Sequence, residues 1–176
     1  KVAKLSAKIY KKPSYNQPSG RLTFGAKIRS DDRLSKFIKF QNNWIEAKNV
    51  KPIKFKNKNI FSNINIFKNV KYKWGGKTFE GLDCSALVQI FFNFNNKYCP
   101  RDAKDQIRFF KKNINLKNIK KNDMIYWKGH VAVALSKKKL VHAYGPKKKT
   151  VIMDIIKTIV RIKKTAKLKI LAIKRI

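Results

Sequence analysis

Three side chains of this sequence can carry out nucleophilic chemistry together: one cysteine and the two histidines. Cys84 follows Asp83 directly and precedes the apolar run SALVQIFF, while His130 and His142 lie in two strand-like segments further along the chain. A sulfur must be a thiolate to attack, and a helix N-terminus or a nearby imidazole lowers the thiol pKa from its free value of about 8.5. Because the sequence offers both devices, it favours a cysteine nucleophile paired with histidine.

The segments around these residues predict how they are positioned. Asp83 is a preferred N-cap residue, which places Cys84 in the first turn of a helix. The apolar residues of this helix recur at helical spacing and predict a buried stripe, formed by Ala86, Leu87, Ile90, Phe91 and Phe94. His130 begins the alternating strand HVAVAL, and the SKKK segment after it predicts a hairpin that brings His142 close to His130. The second histidine then orients the first, as the third member of a catalytic triad does.

The same residues also fit a purely structural interpretation. A cysteine in front of an apolar helix is more often a core residue than a nucleophile. A lone histidine on a strand is more often a hydrogen-bonded structural residue. The two histidines nevertheless lie in consecutive strands after a single capped cysteine. The spacing by itself leaves both interpretations open.

The cysteine and histidine content limits other chemistry. Cys84 and Cys99 do not make a disulfide framework, and nothing in the sequence requires a bridge between them. With only two cysteines and two histidines, a tetrahedral structural zinc site is not favoured. We therefore expect no metal and no cofactor.

The order of predicted elements indicates two domains and an α+β class. Residues 1–60 contain short strand-like segments separated by turn signals such as PSYNQPSG, which predicts a small all-β barrel. Residues 61–176 begin with two predicted helices, Ser85 to Asn95 and a second one that starts at Pro100. Five strand-like segments follow: DMIYW, HVAVAL, KLVHAYG, KTVIMDII and KLKILAIKRI. Helices followed by an antiparallel sheet are typical of α+β proteins.

The net charge of +35 is the most unusual feature of the composition. Clustered basic residues can bind nucleic acid or an anionic wall or membrane surface. Lysine greatly outnumbers arginine here, however, whereas base-reading interfaces favour arginine forks. The joint excess of Lys, Asn, Ile and Phe indicates AT-rich coding with lysine on solvated faces, so we expect no nucleic-acid partner. No apolar run approaches the roughly 18 residues of a membrane span.

Several motifs occur in the order found in NlpC-like papain-fold cell-wall peptidases, which residues 63–176 resemble. These motifs are YKWGG, GLDCSALVQ, PRDAKDQ, KNDMIYW, GHVAVAL and LVHA. The N-terminal part is similar to the bacterial SH3-like barrels that precede such domains, through FGAKIR and NNWIEA. The resemblance implies a papain-like NlpC-type catalytic domain, with helices packed on an antiparallel sheet, in residues 61–176. It implies an SH3-like β-barrel in residues 1–60, which can wall off one end of the cleft.

The resemblance also implies an activity and residue roles. Family members hydrolyse the bond between γ-D-glutamate and a diamino acid in peptidoglycan stem peptides. By position, Cys84 is the nucleophile, His130 the general base and acid, and His142 the orienting residue. Tyr72 lies beside the nucleophile and helps to stabilise the oxyanion. Asp83 and Ser85 line the substrate side, where the acidic group pairs with a free amine of the substrate.

Three alternatives accompany this hypothesis. The chain can be an inactive relative that binds murein fragments, a basic nucleic-acid-binding protein, or an acyl transferase that uses the same triad. We expect peptidoglycan stem peptides or murein fragments as partners, no integral membrane segment and a monomer. The segment KVAKLSAKIY shows no signal peptide, so the compartment is open between bacterial cytoplasm and periplasm or cell envelope.

Overall fold

The N-terminal part of the chain forms an antiparallel sheet of its own. The computed structural model describes residues 1–176. The sheet has five strands, which are β1 Ser6–Tyr10, β2 Pro18–Thr23, β3 Asp32–Leu34, β4 Phe37–Phe40 and β5 Asn43–Glu46. Their spatial order is β2-β1-β5-β4-β3. The β4–β5 hairpin turns at Gln41, which has a positive φ of 49°.

The SH3-like barrel predicted for residues 1–60 is not evident in this sheet. Its edge strands β2 and β3 each pair on one side only, so the sheet stays open. Strand β3 has only three residues, all of them exposed. A small core cluster of four buried residues, Val2, Ala7, Phe40 and Ile45, packs at this sheet. The predicted domain boundary at residue 60 stays a prediction.

The rest of the chain confirms the predicted α+β order. Two short strands, β6 Lys77–Thr78 and β7 Gly81–Leu82, lead into the helices α1 Cys84–Phe94 and α2 Ala103–Phe109. The later elements are β8 Lys112–Asn113, β9 Met124–Trp127, β10 His130–Ala134, β11 Lys139–Tyr144, β12 Lys149–Asp154, α3 Ile155–Ala166 and β13 Ala172–Arg175. Six of these strands form one antiparallel sheet in the order β12-β11-β10-β9-β13-β8.

Helix α1 packs against the centre of this sheet, on β10 and β11. All five residues of its predicted apolar stripe are buried in a core cluster of 23 residues. The N-terminal part contributes to the same core, because the ring of Phe24, directly after β2, stacks on the Phe94 ring with 4.5 Å between centroids. This packing fixes the helix axis, and with it the position of the residue at its N-terminus.

Helix α3 covers the other face of the sheet, and the sequence-based interpretation missed it. Ile155, Thr158 and Ile162 are its buried residues, and both isoleucines pack in a second core cluster with Trp127. The predicted strand KTVIMDII in fact ends at Asp154, whose side chain accepts a hydrogen bond from Lys157 N at 3.0 Å and caps the helix. The longest helix has 12 residues, and none has the length and apolar character to cross a membrane.

Candidate active site

Cys84 is the first residue of α1, as predicted. The Asp83 carboxylate accepts a hydrogen bond from Ala86 N at 2.9 Å, which is the expected N-cap contact. The strand before it runs close to a neighbouring segment. A Cβ atom on Gly81 would lie 2.7 Å from Lys73 Cβ, so only glycine fits there. Capping and this close approach place Cys84 at the junction of β7 and α1.

The environment of the Cys84 thiol differs from the predicted one. Cys84 is only 6% exposed, and its Sγ lies 4.0 Å from the carbonyl oxygen of Gly129. Burial raises the pKa of Cys84 to about 11, and the negative charge of Asp83 adds to this. The helix N-terminus therefore does not by itself make a thiolate, and the resting sulfur carries its proton.

The two histidines meet as the sequence predicts. His130 Nε2 lies 2.9 Å from His142 Nδ1, and His142 is completely buried. The ring of Tyr144 stacks on His142 with 4.5 Å between centroids and 12° between planes, which fixes the ring orientation. Burial lowers the pKa of His130 to about 4. Burial and the neighbouring His130 lower the pKa of His142 to about 2. Both imidazoles are therefore neutral at pH 7.

The tautomers of this pair follow from a methionine that the sequence-based interpretation did not include. His142 Nε2 lies 3.4 Å from Met153 Sδ, and a thioether sulfur can only accept a hydrogen bond. We therefore assign the proton of His142 to Nε2, which leaves its Nδ1 as the acceptor for His130 Nε2–H. In this arrangement His130 Nδ1 carries no proton and is available as a base.

Tyr72, which the resemblance places beside the nucleophile, lies close enough to Cys84 for that residue to influence its pKa. Burial raises its pKa, with smaller contributions from Cys84 and Asp83, so the phenol keeps its proton and can donate a hydrogen bond. Its backbone is held on two sides, since Tyr72 N donates to Lys148 O at 2.9 Å and Tyr72 forms a bridge with Leu82. Tyr72 is half-buried.

Asp83 and Ser85 belong to a charged cluster centred on Arg101. The Arg101 guanidinium donates to both Asp83 oxygens, at 2.9 and 2.6 Å, and to Ser85 Oγ at 3.0 Å. Gly75 N adds a further hydrogen bond to Asp83 Oδ2 at 2.9 Å. Burial opposes the ionisation of Asp83, but the hydrogen bonds from Arg101, Ala86 N and Gly75 N outweigh it and lower the pKa. The Asp83 carboxylate is therefore ionised and already engaged by several donors.

Arg101 is the main site residue that the sequence-based interpretation missed. The sequence predicts a helix start at PRDAKDQ. In the structure, the arginine of this motif joins the segment before α2 to the start of α1, because it donates hydrogen bonds to Asp83. One feature of the sequence could have identified Arg101 as a site residue: it is an arginine directly after a proline, in a chain whose basic residues are mostly lysine. Its bidentate contact requires a guanidinium, which lysine cannot replace.

A cleft of about 460 Å³ opens at the N-terminus of α1. Its lining consists of Trp74, Gly75, Asp83, Cys84, Ser85, Arg101, Asp102, Ala103, Lys104 and Gly129. Trp74 is 81% exposed at this cleft. None of the lining residues belongs to residues 1–60, so the N-terminal sheet does not wall off the cleft, contrary to the expectation from the sequence.

A cysteine at the capped start of a core helix, together with two histidines in contact on neighbouring strands of the sheet that this helix packs on, fits a papain-like fold. The chain belongs to the NlpC/P60 family, and the matched region is residues 69–168. A solved NlpC/P60 family protein from Bacillus cereus has a TM-score of 0.73 at 20% identity, over 99% of this chain and 61% of that one. That likeness shows the shared fold.

Two curated relatives are more similar in sequence over shorter stretches. Dipeptidyl-peptidase 6 of Lysinibacillus sphaericus is 38% identical over 72 residues, which are 41% of this chain and 27% of that protein. Gamma-D-glutamyl-L-lysine dipeptidyl-peptidase of Bacillus subtilis is 30% identical over 102 residues, which are 53% of this chain and 34% of that protein. The chain thus spans about a third or less of these two relatives.

Proposed function

We propose that this protein is a cysteine peptidase that hydrolyses the bond between γ-D-glutamate and a diamino acid in peptidoglycan stem peptides. The observation that carries the proposal is the relay from Met153 through His142 to His130, in a chain whose Cys84 lies at a capped helix start with its Sγ 4.0 Å from the carbonyl oxygen of Gly129, the residue before His130. Family membership supports the reaction class, and the name of the Bacillus subtilis relative supports the γ-D-glutamyl bond.

In the first half of the proposed reaction, the Cys84 thiol passes its proton to His130 Nδ1 as Sγ attacks the γ-carbonyl carbon. The resting thiol is protonated and the resting imidazole is neutral. The proton transfer between them is therefore driven by substrate bound in the cleft. The oxyanion accepts hydrogen bonds from the Tyr72 hydroxyl and from backbone N–H groups at the start of α1, which have no intrahelical acceptor. His130 then gives the proton to the leaving amine of the diamino acid, and a thioester remains on Cys84.

In the second half, water attacks the thioester carbonyl while His130 takes one of its protons. The tetrahedral intermediate collapses, the carbonyl–sulfur bond breaks, and the proton returns to Sγ. The free γ-carboxylate of the glutamyl product leaves the cleft. His142 holds His130 in the required tautomer throughout, because its own Nε2–H faces an acceptor-only sulfur.

We place Asp83 and Ser85 on the substrate side of the cleft, in agreement with their position in its lining. Asp83 Oδ1 already accepts from Ala86 N, Ser85 Oγ and Arg101, and Oδ2 accepts from Gly75 N and Arg101. A carboxylate has about four acceptor sites. A substrate amine must therefore share this carboxylate with Arg101, and we expect only modest selection for a free amine.

Beside the peptidase domain of residues 61–176, residues 1–60 are proposed as a separate domain. Its contribution is structural in this proposal, because Phe24 packs into the peptidase core while no residue of the sheet lines the cleft. A monomer is sufficient for the reaction, since the whole triad comes from one chain.

Product analysis by mass spectrometry tests the proposal. The substrates are L-Ala-γ-D-Glu-diaminopimelate and L-Ala-γ-D-Glu-L-Lys, with L-Ala-α-D-Glu-L-Lys as the matched isomer. We expect cleavage of the γ-linked peptides only, and loss of activity in Cys84→Ala but not in Cys99→Ala, which removes the other buried cysteine. Intact γ-linked peptides with folded wild-type protein would show a binding module instead. Peptides joined to an added amine would show acyl transfer.

A further inference from the structure

Helix α3 presents an outward side that its packing does not explain. Its buried residues face the sheet, whereas Ile156 and Val160, one helical turn apart, are 57% and 59% exposed. Val160 also lines a shallow depression of about 400 Å³ with four lysines, Lys163, Lys164, Lys167 and Lys169. We name these six residues the α3 surface. It combines protruding aliphatic side chains with a dense positive charge.

The positive charges of the α3 surface have no partners within the protein. The three salt bridges of the molecule join Lys48 to Glu46, Arg101 to Asp83 and Arg175 to Asp123. Asp154, at the N-terminus of α3, accepts from Lys157 N as the helix cap. Mutual repulsion of clustered lysines is unfavourable, so an anionic surface laid against them relieves it.

We propose that the α3 surface docks on an anionic phospholipid bilayer. An amphipathic helix with lysine flanking aliphatic residues is suited to the boundary between headgroups and acyl chains. The lysines attract the anionic headgroups, and Ile156 and Val160 are placed to enter the apolar layer below them. A soluble polyanion needs only the charges, so the two exposed aliphatic residues favour the bilayer as the occupant.

The position of α3 leaves the active site open when the protein is docked. Helices α1 and α3 pack in different core clusters, on opposite faces of the six-stranded sheet. None of the residues of the α3 surface lines the cleft at Cys84. A bilayer held against α3 therefore does not cover the cleft. The proposal is independent of the peptidase activity, because it rests only on α3.

Vesicle binding tests the proposal. The full chain is sedimented at 0.15 M salt with vesicles of phosphatidylcholine alone, and with vesicles of phosphatidylcholine and phosphatidylglycerol at a ratio of about 3:1. Binding to the anionic vesicles only is expected. Replacing Lys163, Lys164 and Lys167 by Gln should weaken that binding by about a hundredfold, since each lysine near the surface contributes about fivefold.

A matched triple variant makes the outcome specific. The triple Lys11→Gln, Lys12→Gln and Lys36→Gln removes the same charge from exposed positions of the N-terminal part, and little change is expected. An equal loss in both triples would show diffuse charge attraction and overturn the proposal.

Two double variants test the aliphatic residues. Ile156→Ser with Val160→Ser should weaken vesicle binding about tenfold, whereas Leu34→Ser with Ile53→Ser, at similarly exposed positions, should not. Unchanged binding of the Ile156→Ser, Val160→Ser variant would show that the α3 surface binds any polyanion, and this result would overturn docking on a bilayer. Failure of the wild-type protein to bind anionic vesicles would do the same.

Discussion

Replacing Arg101 by methionine removes the partner of a buried carboxylate while it keeps most of the side-chain volume. Asp83 is only 6% exposed, and it would lose two charge-assisted hydrogen bonds. Breaking a buried ion pair costs about 3–5 kcal/mol. The Arg101 side chain keeps 31% of its surface exposed, so we discount this figure for solvent screening to about 2 kcal/mol. For a chain of this length, that loss lowers Tm by about 6 °C.

The pH dependence of this loss identifies its cause. The pKa of Asp83 is lowered in the folded protein, so its ion pair contributes stability above the unfolded value of about 3.9. That contribution disappears as pH falls through the lower, folded pKa. Thermal unfolding at pH 7 should therefore separate Arg101→Met from the wild type, and the difference should shrink below about pH 4.

Arg108→Met is the matched control, because Arg108 is exposed on α2 and forms no salt bridge. We expect its Tm to lie within about 1 °C of the wild-type value. A Tm of Arg101→Met that equals the wild-type value at pH 7, or a deficit that persists unchanged at pH 3, would refute the reasoning. Circular dichroism at both pH values is sufficient for the measurement.

Three further predictions concern the catalytic relay and the cleft. Met153→Leu should lower kcat/KM about fivefold to tenfold, because the acceptor for His142 Nε2–H is lost; nitrogen NMR should show the tautomer change, and Met124→Leu should show neither effect. The pH profile of kcat/KM should be flat from about pH 5 to about pH 10, since the pKa values of His130 and Cys84 are shifted to about 4 and about 11; an acid limb near the ordinary histidine value of about 6.5 would contradict this. Acetylation of the substrate amine should lower kcat/KM less than about tenfold, because Asp83 is already engaged by Arg101, and a thousandfold loss would show that the amine displaces Arg101.

The parts of the site that were predictable are those encoded locally. The cap at Asp83, the buried stripe of α1 and the alternation from His130 each depend on residues a few positions apart. The hairpin that joins the two histidines also lies within a short segment, and the structure confirms their contact. Local patterns therefore predicted that the two histidines meet.

The parts that were missed depend on distant packing. Arg101 binds a carboxylate 18 positions earlier in the chain, and Met153 completes a relay across neighbouring strands. The raised pKa of Cys84 results from burial by the whole core, which no local pattern reports. Helix α3 was missed because its apolar residues also suit a strand, and only the cap at Asp154 marks the change.

The central claim is that Cys84 attacks the γ-glutamyl carbonyl, and trapping of the thioester tests it most directly. Enzyme and L-Ala-γ-D-Glu-diaminopimelate are mixed in near-equal amounts, quenched in acid within one turnover, digested and analysed by mass spectrometry. We predict the mass of an L-Ala-γ-D-glutamyl group on the peptide that contains Cys84, and an unmodified Cys99 peptide. Release of diaminopimelate by Cys84→Ala at the wild-type rate, without any acylated peptide, would contradict the account.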